Sequence, residues 1–267
     1  MSSAYRVNRR ALLVATAGTG VMAVAGVAPA TGQGAPKTFV LVHGAWHGGW
    51  CWRPVADLLE KKGNKVFAPT LTGLADRSHL LDAKVIVSTH VADVANLIKW
   101  ENLENVVLVG HSYAGFVISG VAEQIPEKIA SIIYLDAFVP NNGDSLLSIA
   151  SPQFRDYLKG AIDKGQPSLA SPKAAAFVAE PHRAWVDSKT TPQPIGTYTE
   201  AANVTGARDK IQKRTYIRAK AYTSPAFDAA QARLAASEGW RIYEMQANHD
   251  AMIDAPDRLV EILMERA

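Results

Sequence analysis

Six residues constrain this chain more than any others: Gly110-His111-Ser112-Tyr113-Ala114-Gly115. The apolar run Asn105-Val106-Val107-Leu108-Val109 leads into them, and a segment with helical patterning, Tyr113 to about Gln124, leads out. A strand, a tight turn and a helix with serine at the apex make a nucleophile elbow, which lifts a hydroxyl above a sheet edge. Gly110 and Ala114 are small, so the strand and helix backbones can approach closely; Ala114 stands where a second glycine is commoner. The same pattern also describes a serine capping a helix after a glycine-rich turn, so the reading depends on partners elsewhere in the chain.

The rest of the chain supplies the sheet that such an elbow needs. Thr38–Val42, Lys65–Ala68, Ile129–Leu135, Arg214–Arg218 and Arg241–Met245 read as further buried strands. Helical segments separate them: Pro54–Lys62, Thr89 (as a cap) to about Trp100, Pro225–Ala236, and Pro256 to the end. Strands alternating with helices predict an α/β fold with a doubly wound, mostly parallel sheet. The alternation lapses between about 140 and 209, in a stretch rich in Ala, Ser and Pro with short helical pieces. That is too long for a plain loop in a compact domain, and predicts an inserted helical cap over the site.

The 267 residues suit one large α/β domain, and 48% hydrophobic residues are ample for its core. The net charge of +3 comes from the N-terminus: without Arg6, Arg9 and Arg10 the 28 Lys and Arg become 25, against 25 Asp and Glu. A neutral body points to no nucleic acid and no anionic membrane surface. Residues 1–30 read as a twin-arginine export signal: Asn8-Arg9-Arg10 opens it, an apolar stretch follows from Ala11, and Ala28-Pro29-Ala30 fits a cleavage site. An uncleaved anchor is the competing reading, since about twenty apolar residues can span a bilayer. The first reading predicts a periplasmic or secreted protein with no stable membrane association after cleavage. Residues 31–36 would be a linker and 37–267 the folded domain. Cys51 is the single cysteine, so no intrachain disulfide can form; it reads as a packed side chain.

A serine hydroxyl needs a base. His249 follows the last strand and comes late in the chain, where the order serine, acid, histidine requires it. His111 reads as packing beside the turn, His43 starts another loop, and His79, His90 and His182 lack a strand-end setting. For the acid, Asp136 ends the strand after the nucleophile helix; Asp228, beyond Arg214–Arg218, is the alternative. The amides of Tyr113 and Ala45 are the expected oxyanion donors, Ala45 from His43-Gly44-Ala45-Trp46-His47-Gly48-Gly49-Trp50. Trp46, Tyr113, Phe138 and Trp185 are candidates for an apolar pocket. No HExxH motif or cysteine–histidine cluster points to a metal.

These motifs together are specific. Phe39 through Trp50, Pro69-Thr70-Leu71-Thr72-Gly73-Leu74, Gly110 through Tyr113, Tyr134 through Pro140 and His249-Asp250-Ala251-Met252 resemble the methylesterase and hydroxynitrile lyase branch of the α/β-hydrolase superfamily, especially its bacterial esterase-like members. The resemblance covers nearly everything after Lys37 and is weakest in the cap. It implies a cofactor-free hydrolase with Ser112 as nucleophile, His249 as base and oxyanion donors at Ala45 and Tyr113. Plant members carry their acid where this chain has Tyr222, which strengthens Asp136. The lyases carry threonine in place of Gly44 and lysine in place of Asp250, so esterase is favoured over lyase. The expectation is a serine hydrolase that cleaves small apolar carboxylic esters through an acyl-enzyme. Hydrolysis of a lactone, carbamate or amide, or ligand binding without turnover, is the alternative. A small-molecule ester is the expected partner, and the oligomeric state is left open.

Overall fold

A computed structural model describes residues 35–267. The expected export signal and most of the linker lie outside the described residues. Six strands form one sheet: β1 (Thr38–Val42), β2 (Lys65–Phe67), β3 (Val106–His111), β4 (Ile129–Leu135), β7 (Lys213–Ala219) and β8 (Trp240–Met245), in the order β2-β1-β3-β4-β7-β8. Every pairing in it is parallel. The order reverses between β1 and β3, the doubly wound pattern that opens a crevice at the carboxyl ends of those strands.

Alternation along the strands divides the core in two. Val40 and Val42 of β1, Leu108 of β3 and Ile132 of β4 face α2 (Val87–Trp100) and α3 (Ala114–Gln124). Phe39, Leu41, Val107, Val109 and Ile133 face the other way, toward α1 (Arg53–Lys61) and the C-terminal α9 (Pro256–Arg266). Side chains buried on both faces explain why these strands read as unbroken apolar runs. α1 starts with a proline in its first turn and ends before Gly63, which takes a left-handed φ of 83°. α2 begins three residues earlier than expected: Ile86 and not Thr89 is its N-cap residue, and the Thr89 hydroxyl accepts from the Ile86 amide at 3.3 Å.

Between β4 and β7 lies the insertion. It holds α4 (Leu146–Ile149), α5 (Pro152–Asp163), α6 (Arg183–Asp187) and a two-stranded antiparallel ribbon, β5 (Ser168–Leu169) with β6 (Gln193–Pro194). The ribbon was not foreseen, because two-residue strands carry no periodicity. After β7 come α7 (Pro225–Ala235), β8, the short α8 (Ala251–Asp254) and α9. Among the described residues no helix is long and apolar enough to cross a membrane.

The elbow is packed as its small residues require. A Cβ on Gly110 would lie 2.9 Å from the Ala114 carbonyl oxygen and 2.8 Å from Ile118. Gly115, which the sequence reading left without a role, is tighter: its Cβ would lie 1.7 Å from the Phe138 carbonyl oxygen. Backbone cannot yield there, so Gly115→Ala should destabilise the fold by about 3 kcal/mol, at the upper end of overpacking effects. A urea midpoint equal to that of the parent protein would rule this out.

Candidate active site

Ser112 stands at the apex between β3 and α3 with φ of 54°, a left-handed conformation uncommon outside glycine. Hydrogen bonds hold it there: the Ser112 amide donates to Leu135 O at 3.2 Å, and Ser112 O accepts from Gly115 N at 3.1 Å and Phe138 N at 3.2 Å. The strain is thus set by the surrounding backbone and not by the side chain.

The Ser112 hydroxyl donates to His249 Nε2 at 2.8 Å, and His249 Nδ1 donates to Asp136 Oδ2 at 2.6 Å. Asp136 is fully buried at the end of β4, also left-handed with φ of 41°. Its second oxygen, Oδ1, accepts from Arg218 Nη1 at 2.6 Å and from the Ala219 amide at 3.1 Å. Arg218 itself is buried on β7, and its Nε donates to Asp228 Oδ1 at 2.9 Å. The two candidate acids therefore separate by geometry. Asp136 meets the histidine; Asp228 meets the arginine behind it. Arg218 escaped the sequence reading because a charged residue inside a strand gave no sign of facing a carboxylate 82 positions earlier. Tyr222, at the plant acid position, stacks on the His249 ring at 4.6 Å between centroids.

Ala45 and Tyr113 lie beside Ser112 on one cavity, and among the described residues neither amide has a hydrogen-bond partner. Histidines fix both elements. His43 Nδ1 donates to Gly44 O at 2.8 Å, the carbonyl of the same peptide unit as the Ala45 amide, while His43 Nε2 accepts from the Leu71 amide at 3.0 Å. This ring is therefore neutral with its proton on Nδ1, and burial drives its pKa down to about 3. His90 Nε2 donates to Thr72 O at 2.8 Å and Nδ1 accepts from the Tyr113 hydroxyl at 2.9 Å. Burial lowers its pKa to about 4.

Trp46, next to Ala45, is left-handed at φ of 66°. The insertion grips its polar groups. The Trp46 amide donates to Gln193 Oε1 at 3.1 Å, its carbonyl accepts from Thr191 N at 2.9 Å, and its indole donates to Leu169 O at 3.1 Å.

The cavity measures about 630 Å³. Trp46, Tyr113 and Phe138 line it. Trp185 does not: it is absent from the lining and packs edge-on against Trp50 with centroids 5.1 Å apart, partly exposed. Phe154, Phe177, Tyr198, Tyr222 and Phe227 line it instead. Aromatic residues are common in both cores and cavity walls, so only their three-dimensional placement distinguishes the two. Among the described residues no Lys, Arg, Asp or Glu reaches the lining. Burial pushes the Cys51 thiol pKa up, which disfavours the thiolate. Among the described residues no cluster of three or more His, Cys, Asp or Glu could hold a metal ion.

A model of the alpha/beta hydrolase family matches residues 39–262. The chain belongs to that family. This hydrolase is 40% identical over 235 residues to a carbendazim hydrolyzing esterase of Nocardioides sp. (strain SG-4G), covering 84% of its own length and 97% of the relative. It is 38% identical over 109 residues to methylesterase 1 of Arabidopsis thaliana, 40% of this chain and 41% of the other. Among solved structures, an extracellular alpha/beta-hydrolase from a Paenibacillus species superposes with a TM-score of 0.78 at 23% identity, covering 87% and 99% of the two chains. That protein is described as sharing structural and functional homology with tobacco salicylic acid binding protein 2. The hydrolase thus sits in the methylesterase branch, and it is an enzyme of the esterase type. Its Gly44 has a local reason: a Cβ there would lie 2.8 Å from His111 Nδ1 and 3.0 Å from Ser112 Cβ. The threonine of the lyases would not fit without movement.

Proposed function

We propose that this enzyme is a serine esterase acting on small, uncharged, largely apolar esters. The unbroken hydrogen-bond chain from Ser112 through His249 to Asp136, opening on an aromatic cavity without charged carboxylate, ammonium or guanidinium groups, carries the reading. Ser112 Oγ attacks the ester carbonyl carbon while His249 Nε2 takes its proton. The carbonyl oxygen becomes an oxyanion facing the Ala45 and Tyr113 amides. His249 then protonates the leaving alkoxide, which departs as the alcohol. A water molecule, deprotonated by His249, cleaves the acyl-enzyme and frees the acid and Ser112. Asp136 holds the histidine in the tautomer that accepts at Nε2 and offsets its positive charge in each step. His47, which reaches the lining, is paired with Asp250 at 2.9 Å, so the cavity offers no unpaired charge to compensate the desolvation of an ionised substrate, and neutral esters are favoured over charged ones.

The test is hydrolysis of p-nitrophenyl esters of graded acyl length. A rise and then a fall of kcat/KM with chain length is expected, with an anionic acyl group at least about tenfold worse than its neutral isostere, since a buried unpaired charge opposes binding. Equal rates for the charged and neutral esters would defeat the substrate reading. One observation favours a second bond type: the 40% identical relative is named for carbendazim, a methyl carbamate. The same machinery would then form a carbamoyl-enzyme, visible as a burst of alcohol release followed by slow turnover.

A further inference from the structure

Beside the Ser112–His249–Asp136 chain lies a second histidine–aspartate pair that the steps above do not use. His47, on the loop after β1, and Asp250, directly after His249, are both almost wholly buried. His47 Nε2 lies 2.9 Å from Asp250 Oδ2, and His47 Nδ1 lies 2.7 Å from the carbonyl oxygen of Ala45. Both neighbours are acceptors. A histidine that satisfies two acceptors must carry a proton on each ring nitrogen, so the pair is an imidazolium against a carboxylate. Burial opposes both charges, yet the partner's charge and hydrogen bond prevail: the His47 pKa is raised and that of Asp250 lowered. Such pairs seldom add net stability over apolar side chains of similar volume, which turns attention to what the pair holds in place.

It holds two catalytic elements together. One end grips the carbonyl of Ala45, whose amide is a proposed oxyanion donor. The other end is the residue covalently next to His249. His111 braces the same spot, with Nε2 donating to His249 O at 3.0 Å and lying 3.8 Å from Asp250 Oδ1. His43 already fixes the peptide on the amide side of Ala45; His47 fixes the one on its carbonyl side. We propose that His47, anchored by Asp250, is a positioning residue that sets the oxyanion donor of Ala45 against the Ser112–His249 couple. The inference rests on the serine esterase reading and adds residues that touch no substrate atom in that mechanism.

Positioning an oxyanion donor matters only once the carbonyl becomes tetrahedral, so its loss should fall on kcat and not on KM. His47→Phe keeps an aromatic ring against Trp50 and removes both hydrogen bonds. It should lower kcat about 10- to 100-fold, the scale of a small misplacement in a reacting geometry, with KM within about threefold. Inhibition by a trifluoromethyl ketone, which forms a hemiketal oxyanion on Ser112, should weaken by the same factor as kcat/KM. Asp250→Asn keeps a partner for His47 Nε2 and leaves Nδ1–H for Ala45, so it should retain at least about a fifth of kcat. Asp250→Ala removes the anchor and should behave like His47→Phe. If His47→Phe does not fold, the contrast between Asp250→Asn and Asp250→Ala carries the same test. Wild-type kcat in His47→Phe or Asp250→Ala, or a loss confined to KM, would overturn the proposal. Ser112→Ala is assayed beside them. Unchanged turnover there would remove the serine reading itself, whereas an inactive Ser112→Ala beside a fully active His47→Phe would remove only the role of the pair.

Discussion

Ser112→Ala is expected to lower kcat about 10⁵- to 10⁶-fold, the scale seen when a triad nucleophile is removed. Alanine keeps a Cβ on the same left-handed backbone, whose hydrogen bonds are all made by main-chain atoms, so the fold should be unaffected. No neighbouring group can take over. The Cys51 thiol is buried, with its pKa driven up. His249 would retain its bond to Asp136 and could only activate water. Residual turnover should therefore reflect the oxyanion donors and binding alone, about 10³-fold above the uncatalysed rate. Active-site labelling with a fluorophosphonate provides the independent check: one label per parent chain, on Ser112, and none on the variant. Parent-level turnover by Ser112→Ala would refute the mechanism outright.

The second large effect concerns acid. His43 and His90 are buried and neutral, with burial lowering their pKa values to about 3 and about 4. In the unfolded chain both titrate near the ordinary histidine value of 6.5. A histidine with a lowered folded pKa takes up a proton on unfolding, so stability falls as pH drops below the unfolded value. Between pH 6.5 and 4 the two rings should together remove roughly 6 kcal/mol. That is comparable with the whole stability of many domains. His111, also held neutral chiefly by burial, acts in the same direction. The His47–Asp250 pair does not offset this loss. The share due to the raised His47 is fully present below 6.5, and the share due to the lowered Asp250 is fully present above 3.8, so the pair is flat across that window. Its contribution fades only on the alkaline side, as pH rises through the folded value of His47. Urea midpoints at pH 7, 6, 5 and 4 should fall steeply and together with activity. A midpoint that stays constant down to pH 4.5 would contradict the argument.

Much of this molecule was legible in its sequence because the same residues carried two signals. The strands were visible as apolar runs because both their faces are covered, and the elbow was visible because Gly110 and Ala114 are forced to be small. Ser112, His249 and Asp136 could each be placed at a strand end, and strand ends converge in a doubly wound sheet. The supporting groups could not be read in that way. Arg218 and Asp250 are charged side chains in ordinary-looking positions, and each acquires its meaning from a partner far away along the chain. The stretch from about 140 to 209 was read as an inserted helical cap, without the placement of its elements or side chains. Its ribbon is too short for periodicity, and Trp185 differs from Phe154 in no way that local sequence reveals, yet one packs against Trp50 while the other lines the cavity.

The grip of the insertion on Trp46 bears on how such an enzyme can diversify. Leu169 and Thr191 secure, through main-chain atoms, a tryptophan whose neighbour is the proposed oxyanion donor, and Gln193 does so through its side chain, so drift at Gln193 would reach the chemistry as well as substrate choice. Leu146, Ile149 and Phe154 line the same cavity through α4 and the first turn of α5, and they make no hydrogen bond to Trp46. New specificities can therefore accumulate on the helical side of the insertion while the ribbon stays conservative. One inserted segment thus divides into a part free to explore and a part bound to the reaction.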